Sequence, residues 1–150
     1  MPKLREYRPA DFEQLWALDQ QCFSEEVAYS RDELAHYLDS ETSICFVASN
    51  QNQMQGFILG DRERSFGHII TLDVAPSAQR SGLGSTLIRS LEERLRSADC
   101  TSVFLEVAVN NRAALSFYKT HGYSVLKTLR RYYPGGLDGL LMGKRIAPAI

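Results

Sequence analysis

A glycine-containing stretch near the middle of the chain, Gln79-Arg80-Ser81-Gly82-Leu83-Gly84, has the composition of a phosphate-binding turn. It follows a strand-like run that ends near Ala75 and precedes an amphipathic segment. Free backbone N–H groups at such a turn, together with the positive end of a helix dipole, attract phosphate or pyrophosphate groups. A glycine turn without a ligand is the alternative, because glycines are common in turns.

Two nucleotide-binding patterns are excluded at this turn. A P-loop would continue with Gly-Lys-Ser or Gly-Lys-Thr, and neither follows here. A dinucleotide-binding fingerprint would place a third glycine at position 87, which is Leu87. A phosphate-containing ligand of this turn would therefore belong to another class of molecule.

Glu106 is the one charged residue in an otherwise β-branched and apolar run over 101–109. Alternate residues of a strand share a face, so Glu106 would share one with Phe104 and Ala108. Apolar surroundings raise the pKa of a carboxylic acid toward the range in which it serves as a general base near neutral pH. The alternative is a glutamate on an edge strand that faces solvent.

The cysteines and histidines show no pattern of a metal site or a nucleophilic centre. The cysteines are Cys22, Cys45 and Cys100, and the histidines are His36, His68 and His121. The sequence has no C-x-x-C pair and no local Cys/His signature, so we expect reduced thiols and no covalent acyl-enzyme. The scattered histidines lead us to expect no metal.

The first half of the chain begins with a strand-like segment over 3–8 and contains two helical patterns. Pro9 opens a segment whose apolar residues recur at mostly helical intervals up to Phe23. Ser30 followed by Glu33 resembles a capping box at the start of a second short helix. Between the two helices we expect a loop.

The remaining segments predict a mixed sheet. The strand-like runs are 44–48, 54–60, 68–75, 101–109, 123–129 and 140–145, with polar turns at 50–52 and 61–64, and the helical ones are 83–98 and 111–122. The first three runs form an antiparallel meander, and strands on either side of a helix indicate an α/β fold with about seven strands and four helices. Glu92 and Arg96 are expected to form an i,i+4 pair on the exposed face of the third helix.

Length and composition are those of one globular domain over residues 1–150. The chain has 17 Lys+Arg and 18 Asp+Glu, a formal net charge of −1, and 44% hydrophobic residues. These values exclude a disordered or disulfide-rich scaffold, and they provide no broad basic surface for nucleic acid. No apolar run approaches the ~20 residues of a membrane helix. We expect a cytoplasmic protein without membrane or nucleic-acid partners, either monomer or homodimer.

The stretch Gln79-x-x-Gly82-x-Gly84 resembles the acetyl-CoA signature, Arg/Gln-x-x-Gly-x-Gly/Ala, of the GNAT N-acetyltransferase superfamily. A second segment resembles the strand-and-helix motif of bacterial ribosomal-protein alanine N-acetyltransferases and other protein N-terminal acetyltransferases. Its matching residues are Leu105-Glu106-Val107, Asn111, Ala114, Leu115, Tyr118, Gly122-Tyr123 and Arg131-Tyr132-Tyr133-Pro134. The specific resemblance covers about residues 72–145 and implies the GNAT fold, with helices on both faces of the sheet.

The resemblance implies acetyl-CoA as cosubstrate. Its pyrophosphate would lie on the amides of residues 80–85, and its pantetheine arm would lie along a strand that separates from its neighbour at residues 72–74. The implied binding residues are Leu72, Asp73, Val74, Gln79, Arg80, Ser81, Gly82, Leu83, Gly84, Ser85, Asn111 and Tyr118. Asn111 is equally well placed as the N-cap of the fourth helix.

The same resemblance implies two catalytic residues. Glu106 would be the general base, directly or through a water, and Tyr118 would protonate the departing thiolate. A phenol with a pKa of about 10 is suited to that transfer. The alternative for Tyr118 is a packed aromatic side chain beside Leu115.

The acceptor side departs from the ribosomal-protein enzymes. Ala108 replaces their usual Arg, and residues 23–30 lack their Trp-containing loop. Candidate acceptor-binding residues are Tyr29, Tyr132 and Tyr133, which are equally compatible with partly buried aromatics.

We expect an N-acetyltransferase that transfers acetyl directly to a primary amine, foremost a protein or peptide α-amine. A small amine such as a polyamine, aminoglycoside or amino acid is one alternative acceptor. Another alternative is an acyl-CoA-binding regulatory module without turnover, although Glu106 and Tyr118 together argue against it. A structural partner of the ribosome is disfavoured by the absence of a basic tract.

Overall fold

A seven-stranded sheet runs through the part of the chain that the computed structural model describes, residues 2–147. Its strands are β1 (Lys3–Glu6), β2 (Ser43–Asn50), β3 (Gln53–Glu63), β4 (Phe66–Val74), β5 (Ser102–Ala108), β6 (Ser124–Leu129) and β7 (Gly139–Arg145). The helices are α1 (Phe12–Cys22), α2 (Arg31–Leu38), α3 (Leu83–Ser97) and α4 (Arg112–Thr120). The strand order is β1-β2-β3-β4-β5-β7-β6, and within these residues β4 and β5 form the one parallel pair. The predicted mixed α/β sheet is confirmed.

Local signals set the start of α2 as predicted. The Ser30 hydroxyl accepts a hydrogen bond from the Glu33 backbone N–H at 3.1 Å, and the Glu33 carboxylate accepts one from the Ser30 N–H at 3.0 Å. This capping box satisfies two donors at the helix start. The first strand ends at Glu6 instead of residue 8, because the Asp11 carboxylate binds the Arg8 N–H at 2.8 Å and turns the chain.

The meander has one tighter turn than expected. A polar turn was predicted over 61–64, but β3 continues to Glu63 and β4 begins at Phe66. Arg64 adopts a positive φ of 54° in this turn. Polar residues Asp61 and Arg62 therefore belong to the β3–β4 ladder, where they pair with His68 and Gly67.

The sheet buries two apolar layers, one on each face. The layer under α3 and α4 includes Leu87, Ile88, Leu91, Leu95, Leu105 and Met142, and that under α1 and α2 includes Leu15, Leu34, Val47, Phe57 and Leu59. Each fully buried side chain of this size stabilises the fold by roughly 1.5–3 kcal/mol. No helix within residues 2–147 is both long and apolar enough to cross a membrane.

The parallel strands β4 and β5 separate after a short contact. They pair from Phe66 opposite Ser102 to Ile69 opposite Leu105. Beyond that point the following part of β4 stays paired with β3 and the end of β5 stays paired with β7. A gap consequently opens within the sheet.

A bulge in β4 changes which face its side chains occupy beside this gap. Gly60 pairs with Ile69 and Leu59 with Thr71, so Ile70 is an extra residue. Leu72 packs in the layer under α3 and α4, as Ile69 does. Because strand residues alternate, Thr71 and Asp73 lie on the α1 and α2 face.

Glu92 contradicts the exposed position predicted for it. Its residue is 2% exposed, and its carboxylate accepts hydrogen bonds from the Tyr123 hydroxyl at 2.8 Å and from the Lys144 ammonium at 3.0 Å. The predicted i,i+4 ion pair with Arg96 is present, with a distance of 3.9 Å. The shorter contacts that compensate the buried charge come from residues that are distant in sequence.

Replacing Lys144 by Met is expected to destabilise the fold by about 3 kcal/mol, because the Glu92 carboxylate would remain buried without its nearest cation. Urea unfolding followed by circular dichroism measures this change. Glu6→Gln is the control, since it removes one member of an exposed ion pair with Arg94 and should cost less than about 1 kcal/mol. Equal losses in the two variants would contradict the buried ion pair.

Candidate active site

A cavity of about 830 Å³ opens where β4 and β5 separate. Nine of the twelve expected acetyl-CoA residues line it: Leu72, Val74, Gln79, Arg80, Gly82, Gly84, Ser85, Asn111 and Tyr118. Glu106 and the three candidate acceptor residues Tyr29, Tyr132 and Tyr133 line it as well. The fold therefore brings both groups of candidate residues into one site.

The turn before α3 has the geometry of an anion-binding cradle. Gly82 is the N-cap residue with φ +86°, and a Cβ added there would meet nothing within 4 Å. Thr86 makes the first backbone bond of this turn, to the Gly82 carbonyl at 3.1 Å, and the N–H groups that precede it have no helical carbonyl to bind. These donors and the helix dipole attract negative charge.

Gly84 brings the start of α3 close to α4. A Cβ at this position would lie 3.2 Å from the Phe117 ring. One residue further, the Ser85 hydroxyl lies 2.9 Å from Nε2 of His121. The first turn of α3 is therefore held by side chains of α4 and of the residue that follows it.

Three expected acetyl-CoA residues turn their side chains elsewhere. Leu83 is buried in the apolar layer under α3, and Asp73 is buried on the opposite face. The Ser81 hydroxyl donates to the Ala78 carbonyl. For these residues a contact with the cosubstrate remains a prediction, and it would involve backbone atoms.

Carbonyl groups of β4 point into the gap. The Val74 carbonyl accepts hydrogen bonds from the Gln79 side chain at 3.2 Å and from the Cys22 thiol at 3.4 Å. The Ile70 carbonyl accepts one from the Tyr29 hydroxyl at 3.3 Å. Burial raises the pKa of Cys22 to about 12, which disfavours a nucleophilic role for this cavity residue.

Glu106 faces the cavity from a central strand. Because β5 lies between β4 and β7, the interpretation as an edge-strand glutamate is wrong. Its surroundings also differ from the apolar ones expected, since Nε2 of His68 lies 2.7 Å from its Oε1. His68 was absent from the predicted site residues, because the parallel pairing of β4 with β5 that places it there leaves no local pattern.

His68 and Glu106 form a partly buried ion pair. Their side chains are 27% and 17% exposed. Burial lowers the pKa of His68, but the hydrogen bond and the charge of Glu106 outweigh it, so that this pKa is raised. The His68 imidazole consequently holds the Glu106 carboxylate in place through this contact.

Tyrosines surround Glu106 on the acceptor side. The rings of Tyr132 and Tyr133 contact each other edge to face, with centroids 4.9 Å apart. Burial, with a contribution from the Glu106 charge, raises the pKa of Tyr132 to about 12. Tyr29 packs edge to face against Tyr37 at 5.8 Å. The acceptor side therefore presents neutral phenols around one carboxylate.

The sequence left two interpretations open for each of Tyr118 and Asn111. In the structure, each residue makes the expected structural contact and also lines the cavity. Tyr118 is 8% exposed and packs against the rings of Phe117 and Tyr123, yet it lines the cavity. Burial raises the pKa of Tyr118, so it keeps its proton. The Asn111 side chain accepts from the Ala114 N–H at 3.1 Å, which confirms the N-cap, and Asn111 also lines the cavity.

Comparison with known proteins identifies the family. The model of the acetyltransferase (GNAT) family matches residues 12–123. The chain belongs to this family. The matched segment extends from the start of α1 to the residue before β6 and includes the α3 cradle, Glu106 and Tyr118.

Relatives of this GNAT protein include N-terminal acetyltransferases. It is 29% identical to an uncharacterised N-acetyltransferase of Methanocaldococcus jannaschii, over 95% of this chain and 90% of the relative. It is 26% identical to an N-alpha-acetyltransferase of Sulfurisphaera tokodaii, over 93% and 90%. The crystal structure of Chaetomium thermophilum Naa20 with a bisubstrate analogue superposes with a TM-score of 0.84 at 28% identity, covering 96% of this chain and 86% of that one. The protein is an N-acetyltransferase, and its acceptor is an amine.

Glu106→Gln is expected to lower the pKa of His68, because burial still opposes protonation after the carboxylate is gone. Imidazole proton NMR signals followed against pH measure the shift. His121, whose pKa is lowered by burial, is an internal control in the same spectra and should titrate unchanged. Identical His68 titration curves in the two proteins would contradict the ion pair.

The same pair has a predictable pH dependence. Because the folded-state pKa of His68 is raised, its contribution to stability is complete below the unfolded value of about 6.5 and is lost as pH rises through the folded value. The difference in unfolding free energy between wild type and Glu106→Gln should therefore shrink as pH rises through that range. A difference that grows with pH would contradict this linkage.

Proposed function

We propose that this GNAT enzyme transfers the acetyl group of acetyl-CoA directly to the α-amine of a peptide or protein N-terminus. The observation that carries the proposal is the meeting of Glu106 and Tyr118 in one cavity. Glu106 reaches it from the face of α1 and α2, whereas Tyr118 belongs to the layer under α3 and α4. A base on the acceptor side thus lies across the gap from a proton donor on the other side.

The cavity fits acetyl-CoA, which supplies the activated acetyl group as a thioester. The open cradle at Gly82 and the free amides of the first α3 turn would hold its pyrophosphate. Backbone groups of β4 beside Val74 would bind the amides of the pantetheine arm, as an added strand would. The Naa20 structure, which contains a bisubstrate analogue, supports a site for both substrates in this fold.

Glu106 acts as the general base in this proposal. An α-amine has a pKa of about 7.7–8.0, so most of it is protonated at neutral pH and cannot attack a carbonyl carbon. The ammonium proton passes first to Glu106, directly or through a water, and the nitrogen lone pair that this frees then forms the bond to the acetyl carbon. His68 is a positioning residue, because it holds Oε1 of Glu106 and does not itself line the cavity.

Tyr118 serves the leaving group. When the carbon–sulfur bond breaks, the sulfur becomes a thiolate that needs a proton donor. Tyr118 retains its proton because its pKa is raised, and its hydroxyl is therefore a hydrogen-bond donor throughout the physiological pH range. Donation to the developing thiolate stabilises the transition state.

The charge on the cavity wall favours a monocationic acceptor. Glu106 and Arg80 are the charged residues among the described cavity-lining ones. Polyamines and aminoglycosides carry several ammonium groups, and each one buried in the cavity would favour a carboxylate of its own, of which the described lining has one. A peptide N-terminus brings one ammonium for Glu106 and backbone groups for Tyr29, Tyr132 and Tyr133. The N-alpha-acetyltransferase of Sulfurisphaera tokodaii supports the same acceptor class.

Transfer from isotopically labelled acetyl-CoA to a mixed panel, read by mass spectrometry, tests the proposal. The panel contains free-N-terminus peptides, polyamines and aminoglycosides. Labelling of peptide α-amines is expected, with kcat reduced by about 10²–10⁴ in Glu106→Gln because the base is lost. Calorimetry should give the same acetyl-CoA Kd for both proteins.

Glu25→Gln is the matched control for charge on this side of the molecule, because Glu25 is exposed and lines no cavity. Its kcat should equal that of wild type. Labelling confined to polyamines or aminoglycosides would replace the peptide acceptor by a small amine. Binding of acetyl-CoA with no transfer to any panel member would contradict the proposed acceptor class.

Tyr118→Phe is expected to lower kcat about 10²-fold and to leave the acetyl-CoA Kd unchanged, because the hydroxyl is needed only as the thiolate forms. Tyr123→Phe is the control. Its hydroxyl binds buried Glu92 and lines no cavity, so this change should lower the unfolding free energy without altering kcat. Full turnover by Tyr118→Phe would remove Tyr118 from the mechanism.

A further inference from the structure

A buried polar cluster lies behind the acceptor side of the cavity. Its members are Asp19 on α1 and Thr71 and Asp73 on β4, with residue exposures of 0%, 7% and 1%. Thr71 is among the cavity-lining residues, whereas Asp19 and Asp73 are not, and no catalytic step above uses any of the three. Buried carboxyl groups are costly unless compensated, so this cluster requires a physical account.

Compensation by a cation is absent from this cluster. No Lys, Arg or His side chain of residues 2–147 forms an ion pair with Asp19 or Asp73. The Thr71 hydroxyl oxygen lies 2.5 Å from Oδ1 of Asp73 and 3.5 Å from Oδ1 of Asp19. Two carboxyl groups therefore compete for a hydroxyl that has a single hydrogen.

One added proton resolves the competition. If Asp73 is protonated at Oδ1, it donates to Thr71, and Thr71 then donates to the Asp19 carboxylate. Burial and the charge of Asp19 raise the pKa of Asp73 well above its ordinary value, in agreement with this count. The cluster then carries one negative charge, and that charge lies on Asp19.

The charge on Asp19 is directed at the acceptor loop, which we define as residues 23–30. Oδ2 of Asp19 accepts a hydrogen bond from the Tyr29 backbone N–H at 2.9 Å. The Gln20 side chain binds the Tyr29 carbonyl at 2.7 Å in an exposed position. The Tyr29 hydroxyl in turn reaches the Ile70 carbonyl beside the gap.

We propose that Asp19, Thr71 and Asp73 form a one-proton network whose role is to position the acceptor loop through the Tyr29 N–H, and thereby to set acceptor affinity. The link to affinity rests on the proposed function, whereas the link to Tyr29 does not. Hydrogen bonds to a charged acceptor are stronger than neutral ones, so Asp19 holds the loop more firmly than Gln20 does. The three residues are positioning residues.

Asp19→Ala removes the acceptor of the Tyr29 N–H and is expected to raise KM for the best peptide of the panel about tenfold or more, with kcat and the acetyl-CoA Kd changed less than about twofold. Exchange of the Tyr29 amide hydrogen, followed by NMR in the presence of acetyl-CoA, should accelerate in parallel. Gln20→Ala is the matched control, because Gln20 binds the carbonyl of Tyr29 whereas Asp19 binds its N–H. In this variant the peptide KM and the exchange rate of the Tyr29 amide should stay near the wild-type values.

Two pairs of variants test whether the cluster holds one shared proton. In each pair, one substitution keeps the hydrogen-bonding group and the other removes it. Asp73→Asn presents an N–H donor to Thr71 as the protonated acid does, so acceptor KM and Tyr29 exchange should be preserved. Asp73→Ala removes that donor and should raise both the acceptor KM and the exchange rate of the Tyr29 amide. Thr71→Ser keeps the hydroxyl and should resemble wild type, whereas Thr71→Val interrupts the network and should resemble Asp73→Ala.

The outcomes separate this proposal from the proposed function. Unchanged Tyr29 exchange in Asp19→Ala overturns the network's hold on the loop, even if no panel member is acetylated. Accelerated exchange with an unchanged peptide KM overturns its control of acceptor affinity. The proposal would also be overturned if Asp19→Ala and Thr71→Val both weakened acetyl-CoA binding as much as peptide binding. Such a result would indicate a general disturbance of the fold.

Discussion

Separation of two parallel strands in the middle of the sheet is the constraint on which the rest of the structure depends. Backbone N–H and C=O groups that leave a ladder need other partners. In this protein the Ile70 carbonyl accepts a hydrogen bond from the Tyr29 hydroxyl. The Val74 carbonyl accepts hydrogen bonds from the Gln79 amide and the Cys22 thiol. Those donors come from the acceptor loop, the cradle and α1. The side chains that bind the unpaired carbonyls of β4 are therefore also residues that line the cavity.

The extra residue in β4 determines which side chains of this strand lie on each face of the sheet. Ile70 shifts the alternation, so that Leu72 packs toward α3 while Thr71 and Asp73 lie toward α1. The face of α3 and α4 provides the cradle and Tyr118, and the opposite face provides Glu106 and the tyrosines. The cavity in the gap is therefore lined by residues of both faces of the sheet.

Features that depend on nearby residues could be predicted from the sequence. The capping box at Ser30, the N-cap at Asn111 and the apolar stripe of α3 each involve residues within a few turns of one another. The family resemblance added the placement of Glu106. His68 could not be predicted, because its contact with Glu106 spans 38 residues and depends on strand pairing. Glu92 was placed wrongly for the same reason, since Lys144 lies 52 residues away.

Buried carboxylates in this protein are compensated in different ways, and the difference follows their roles. Glu92 has Lys144 as its cation and does not line the cavity between β4 and β5, so its role is stability. Glu106 has His68, whose pKa is raised by this contact, so that the charge opposite the carboxylate depends on pH. Asp19 and Asp73 share a proton instead of binding a cation. A cation there would neutralise the charge that holds the acceptor loop, whereas a shared proton keeps one charge directed at it.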